Sequence, residues 1–168
     1  MRAEPSSQPT IRPATRADLP QIGRLGAMLV AEHHDFDGRR FLAPSNRTAD
    51  NYASFLGSQL DEPKVVLLVA DDGGHVIGYV YAGVEGYDYM SLRGPAGVLY
   101  DIIVDPEHRR RGVGKLLLNA ILASLKARGV TQVVLSTADG NATAQRLFAS
   151  AGFRHTMIEM TRELDDNT

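Results

Sequence analysis

The stretch Val98-Leu99-Tyr100-Asp101-Ile102-Ile103-Val104-Asp105-Pro106-Glu107-His108-Arg109-Arg110-Arg111-Gly112-Val113-Gly114-Lys115-Leu116-Leu117-Leu118 carries a strand, a turn and a helix in immediate succession. Leu99 to Val104 is a short apolar run rich in β-branched residues, ended by Asp105-Pro106, which predicts a buried strand and a turn. Val113, Leu116, Leu117, Ala120, Ile121, Ser124 and Leu125 recur at the i, i+3, i+4 spacing of one helix face. Gly129, just past Arg128, stands where a C-terminal cap is expected. Strand and helix are joined by Arg109-Arg110-Arg111-Gly112-Val113-Gly114-Lys115.

The chemistry of that junction follows from its residue types. Gly112 and Gly114 leave the backbone uncovered at the first turn of a helix, where N–H groups lack intrahelical partners. The helix end adds roughly half a positive charge, so an anion, above all a phosphate, is the natural guest. The three arginines and Lys115 would add charge-assisted hydrogen bonds. A glycine-containing turn with a solvated basic run accounts for the same residues without a ligand. The order of strand, turn, basic cluster and amphipathic helix favours the phosphate.

Two familiar phosphate motifs fail here. A P-loop, G-x-x-x-x-G-K-[ST], would need glycine where Arg109 stands and a hydroxyl where Leu116 follows Lys115. A dinucleotide fingerprint starting at Gly112 would need glycine at Leu117. The remaining pattern, R-x-x-G-x-G after a strand ending Ile-Val-Asp-Pro, resembles the pyrophosphate loop of the GNAT acyl-CoA-dependent N-acetyltransferases. Asn141-x-x-Ala144-x-x-Leu147-Phe148-x-x-x-Gly152-Phe153 resembles that family's second signature. Together the two cover roughly residues 98 to 160.

Composition sets the outer limits. A chain of 168 residues with 43% hydrophobic residues suits one globular domain, expected over 10–164, with residues 1–9 as an N-terminal tail. A net charge of -2 gives no global basic field for nucleic acid. With no cysteines, disulfides, thiolate nucleophiles and cysteine-type zinc sites are excluded. No apolar run approaches the length of a membrane span, and a cytoplasmic location is the default expectation.

Read in order, Thr10 to Pro13 is a short first strand, and Asp18 caps a helix with an apolar stripe at Leu19, Ile22, Leu25, Met28 and Leu29. His33-His34-Asp35 offers metal-ligating types, but adjacent histidines on a helix diverge by about 100°. A polar helix end or an acceptor-binding loop fits better, and no metal is expected. A second helix starts at Thr48 or Asp50. Lys64 to Ala70 is a strand buried on both faces, Asp71 to Gly74 a hairpin turn, and His75 to Val84 the returning strand. Glu85 to Gly97 is a long loop, either shaping an acceptor site or a surface hairpin. Gln132 to Leu135 is a strand, Asn141 opens a helix ended by Gly152, and Phe153 to Met160 is expected as a last strand.

The resemblance implies a mixed, mostly antiparallel sheet with helices on both faces and a splayed parallel strand pair holding the cofactor. It implies transfer of an acetyl group from acetyl-CoA to a primary amine. Ile102, Ile103 and Val104 would border the pantetheine arm, the N–H near Val104 polarising the thioester. Arg109, Arg110, Arg111, Gly112, Val113, Gly114 and Lys115 would hold the pyrophosphate, and Asn141 would both cap its helix and contact the cofactor. Phe148 departs from the pattern, since many members carry a tyrosine there that protonates the departing thiolate. Tyr100 and Asp101, polar interruptions of the strand at the cleft, are the candidate catalytic residues; alternation places them on opposite faces. A structural partner for Asp101 is the competing reading, and Glu159 is a weaker candidate. Without cysteine, direct attack is expected. A small-molecule amine is the favoured acceptor, since the tyrosines after Gly152-Phe153 found in ribosomal-protein N-terminal acetyltransferases are missing. A protein amine, or a non-catalytic acyl-CoA-binding sensor of the same fold, is the alternative. The oligomeric state, a homodimer included, is left open.

Overall fold

A computed structural model describes residues 8–164. Five strands form one sheet in the order β1-β2-β3-β4-β5: β1 Thr10–Pro13, β2 Val65–Asp72, β3 His75–Glu85, β4 Ala96–Val104 and β5 Val133–Leu135. The first four pair antiparallel and β4 pairs β5 in parallel, so the sheet is mixed and mostly antiparallel, as the resemblance implied. The helices are α1 Leu19–Phe36, α2 Thr48–Gln59, α3 Val113–Ala127 and α4 Ala142–Ser150.

Two cores lie on opposite faces of the sheet. On one, Ile22 and Leu25 of α1 and Leu56 of α2 meet Val69, Tyr79, Tyr81 and Ile103. On the other, Leu117, Leu118, Ile121 and Leu125 of α3 and Phe148 of α4 meet Val66, Ala70, Val80 and Leu99. Complete burial of a leucine or isoleucine stabilises by about 1.5–3 kcal/mol, so the α3 stripe is the main anchor of its face. Strand β2 serves both cores, as its continuous apolar run predicts. Glycines fix the ends of the helices: Gly112 (φ 77°) precedes α3, Gly129 (φ 82°) follows it, and Gly152 (φ 90°) follows α4.

Three expectations need correction. Asp18 does not cap α1 with its side chain; the carboxylate turns back to the Thr15 N–H at 2.7 Å and to Arg12. Phe153 to Met160 is not a strand. Arg40–Glu159 at 2.5 Å and Arg39–Glu163 at 3.6 Å draw this segment toward the α1–α2 connection instead, and Met157, Ile158 and Met160 stay exposed. The short β5 also gives this segment little edge to pair with. Tyr100 and Asp101 do not face opposite ways. The β3–β4 register places Tyr81 opposite Asp101 and Ala82 opposite Leu99, so Tyr100 is the extra residue of a β-bulge. The bulge resets the alternation, and both side chains lie on the α1–α2 face, Tyr100 against Tyr81 and Asp101 against Tyr79. The expected N-terminal tail, through residue 7, lies outside the described residues, as do residues 165–168.

Candidate active site

The parallel pair parts early. Strand β5 follows β4 only from Gly97 to Leu99, while β4 runs on to Val104. Beyond Leu99 the edge of β4 facing away from β3 has no strand beside it among the described residues. In the loop into α4, a Cβ on Gly140 would stand 3.3 Å from Phe36 of α1. Asn141 caps α4, its side chain accepting from the Ala144 N–H at 3.1 Å. A splay of this kind leaves strand backbone free to pair with an extended guest.

The turn after β4 ends in a ready anion site. The first α3 bond runs from the Leu116 N–H to the Gly112 carbonyl at 3.1 Å. The N–H groups of Gly112, Val113, Gly114 and Lys115 have no acceptor among the described residues. A Cβ on Gly112 would meet nothing within 4 Å, so the positive φ, rather than crowding, demands glycine, and the space over the turn is open. At Gly114 a Cβ would sit 3.4 Å from Leu147 and 3.8 Å from Val104, close against both walls. The Val113 side chain is buried in the core, which leaves its backbone to face the turn.

The basic residues divide by task. Arg109 turns inward: its Nε donates to the Val104 carbonyl at 2.9 Å and its guanidinium pairs with Glu32 of α1. Arg24, also on α1, pairs with buried Asp105 at 2.9 Å, so α1 braces the whole turn. Arg111 lies 4.0 Å from Asp72. Arg110, held at φ 63°, and Lys115 have no ion pair among the described residues, and they are the charges left for a phosphate.

Next to the splayed edge sits Asp101. Tyr52 and Tyr79 donate to its Oδ2 at 3.2 and 3.1 Å. Burial pushes the Asp101 carboxyl up from the usual range, against the opposing pull of the two phenols and of His33. Burial and the neighbouring carboxylate raise both phenols in turn, so they stay protonated as donors. Tyr100 donates to Glu85, which also pairs with Arg93 of the long loop. The Tyr100 phenol is raised by burial and by that bond, so its proton is committed to Glu85. Phe148 is buried in the α3-side core and packs edge-on against Phe153.

Of the residues singled out from sequence, the turn 109–115 follows directly on Ile102 to Val104, Asp101 adjoins the same strand edge, and Asn141 caps the helix whose Leu147 lies 3.4 Å from a Cβ built on Gly114. Tyr52 and Tyr79 were missed. Tyr52 reads as part of the α2 stripe and Tyr79 as strand interior, and nothing local marks either as a partner of a carboxylate.

The chain has clear relatives. The profile of the Acetyltransferase (GNAT) family matches residues 29–153. A mycothiol acetyltransferase of Nocardioides sp. is 31% identical over 84% of this chain and 48% of its own length. Human N-acetyltransferase 8 is 33% identical over 59% of this chain and 43% of its own. The chain thus spans less than half the length of these relatives. A variant of the BH1408 protein of Bacillus halodurans superposes with a TM-score of 0.79 at 26% identity, covering 92% of this chain and 99% of that one. A Clostridium acetobutylicum chain solved with acetyl-CoA shares the fold, with a TM-score of 0.71 at 14% identity over 92% of this chain and 96% of that one. With a profile match across most of its length, a splayed mixed sheet and an open glycine turn, the chain belongs to the GNAT acetyltransferase family.

Proposed function

We propose that this chain transfers an acetyl group from acetyl-CoA to a primary amine of a small molecule by direct attack. The carrying observation is the parting of β4 from β5 beside a helix N-terminus whose N–H groups are unmatched. The open turn at Gly112 fits a pyrophosphate, with the N–H groups of Gly112 to Lys115 as donors and Arg110 and Lys115 as charges. The free edge of Ile102 to Val104 fits an extended arm. Asn141 and the start of α4 border that arm on the far side, and Phe148 supports it from the core.

When bound, acetyl-CoA supplies the acyl group as a thioester, whose carbon–sulfur bond breaks as the carbon–nitrogen bond to the amine forms. The chain's task is to hold the amine against that carbon and to take its proton. Well-oriented pairs of reactants gain up to about 7–11 kcal/mol from positioning alone. With no cysteine in the chain, no thiolate of the protein can relay the acetyl group. Asp101, half-buried next to the free edge, is the natural anchor for an amine. The mycothiol acetyltransferase relatives support a small-molecule acceptor. A cytoplasmic setting, the default expectation from the sequence, fits this reading.

The test is thiol release from acetyl-CoA with a panel of primary amines, N-terminal peptides included. Amine-dependent release with small amines is expected. Release with peptides alone would move the acceptor to a protein, and saturable acetyl-CoA binding without release would make the domain a sensor.

A further inference from the structure

Two parts of this chain carry apolar surface and backbone groups without partners, and the first is the last strand. β5 ends the sheet, pairs with β4 on one side, and has no strand on the other among the described residues. Its three side chains are only half-buried. Val133 and Leu135 pack toward the α3-side core, while Val134 packs into neither core. Beside the start of β5, Leu122 of α3, Val130 and Val133 help line a groove of about 460 Å³. An open edge of this kind presents unpaired N–H and C=O groups to any extended chain that reaches it.

The second part is the segment after Phe153. Residues 154–164 contain no helix, turn or bend, and make no backbone hydrogen bond among the described residues. Met157, Ile158, Met160 and Leu164 are each 70% exposed or more. In an extended chain Ile158 and Met160 share one face and Met157 takes the other. Within the chain this segment joins no strand: Glu159 pairs with Arg40 and Glu163 with Arg39, which hold it at the α1–α2 connection with its apolar side chains in solvent. A straight run with free backbone and exposed apolar side chains is a strand lacking its neighbour.

We propose that residues 154–164 of each copy add as a strand to the outer edge of β5 in a second copy, the exchange being mutual. The two surfaces match in number as well as in kind. On the α3 side β5 shows Val133 and Leu135, which suits the pair Ile158 and Met160; on the other face it shows Val134 alone, which suits Met157. Full burial of a side chain of this size removes roughly 60–120 Å² of apolar surface from water. With the receiving faces counted, mutual exchange covers on the order of 1,000 Å², the size a specific interface needs, and one-way docking covers half of it. A two-fold exchange also closes the assembly, leaving neither an open edge nor a spare segment. Because β5 is the strand that parts from β4, the partner's segment lies one strand away from the splay.

Sedimentation of the full wild-type chain at high micromolar concentration is expected to give twice the 18.3 kDa chain mass. Ile158→Lys combined with Met160→Lys should reduce this to one chain mass with an unchanged circular dichroism spectrum, because both side chains are exposed in a single chain. Tyr89→Lys combined with Leu92→Lys, in the equally exposed β3–β4 loop, should leave two. The chain has no cysteine, so cross-linking locates the contact. Val134→Cys is combined in turn with Met157→Cys, Ile158→Cys and Met160→Cys, and each protein is mildly oxidised. At least one combination should give a two-chain disulfide species in excess of its single-cysteine variants, and this arm carries the test should the lysine variant fail to fold. Single-chain mass in the wild type overturns the exchange. So does a two-chain mass that survives the segment lysines or yields to the loop lysines instead. Cross-links confined within one chain, or absent from all three combinations, overturn it as well.

Discussion

Asp18 and Asp101 are carboxylates drawn in from solvent in opposite ways. At the start of α1, Asp18 takes both guanidinium nitrogens of Arg12, at 2.8 and 2.9 Å, together with the Thr15 N–H and hydroxyl. Its carboxyl falls to about 2, chiefly through the Arg12 bonds. In the cleft, Asp101 has two phenols on one oxygen, no arginine or lysine partner among the described residues, and a carboxyl raised by burial. Asp18 is satisfied within the fold and ties β1 to the helix layer. Asp101 is left short of a partner, and that shortage, rather than burial as such, marks it as a site residue.

The contrast is open to measurement. Asp18→Ala should cost about 3 kcal/mol, the low end for a broken buried pair because Arg12 is partly exposed and keeps Asp71. Denaturant unfolding at neutral pH reads this, and a loss under 1 kcal/mol would make the corner dispensable. The acid limb of stability should follow the same residue. An Asp with a folded value near 2 and an ordinary unfolded value contributes about 2 kcal/mol above pH 4, lost as pH falls toward 2. Asp101 has the reverse sign. Its raised value means that ionisation opposes folding, so its contribution is most favourable below the unfolded value and is lost as pH rises through the folded one. Asp101→Asn should therefore keep or gain up to about 1 kcal/mol of stability at neutral pH while the proposed activity falls. A clear loss of stability in that variant would return Asp101 to a structural role.

Phe148→Tyr tests the remaining polar question of the cleft. Phe148 is buried in the α3-side core against Phe153, so a hydroxyl without a partner should cost about 1–3 kcal/mol, read as a lowered melting temperature. Unchanged stability with raised turnover would show that the hydroxyl reaches the thioester sulfur. The smallest effect is expected at the surface, where Glu159→Ala breaks the exposed pair with Arg40 and should leave thermal melting unchanged.

How much of this could be read from sequence depends on how each part is built. The anion turn is contiguous: Asp105-Pro106 ends a strand, Gly112 supplies the positive φ, and α3 follows at once, so residues 98–118 contain the whole device. The surroundings of Asp101 are assembled from α2, β3 and β4, and in sequence each contribution is an ordinary stripe or strand residue. The bulge at Tyr100 is equally silent, since one extra residue in a ladder changes no local pattern yet turns two consecutive side chains to one face. Phe153 to Met160 errs in the other direction. Its apolar residues suit a strand, but a strand needs an edge to pair with, and the Arg39 and Arg40 ion pairs hold the segment elsewhere. Among the basic residues, sequence could not separate Arg109, spent on Val104 and Glu32, from Arg110 and Lys115.

Everything in the cleft depends on what lies over the turn at Gly112, and calorimetric titration with acetyl-CoA addresses that directly. Wild-type protein should bind saturably, with affinity falling as salt rises, because phosphate charges meet Arg110 and Lys115. Gly112→Val places a branched side chain in the open space above the turn and strains a backbone held at φ 77°. Loss of two charge-assisted N–H contacts, at about 1.5–3 kcal/mol each, predicts at least a hundredfold weaker binding in a protein that still melts cooperatively. Unchanged affinity in folded Gly112→Val, or no saturable binding by the wild type, would contradict the assignment of this turn to the cofactor.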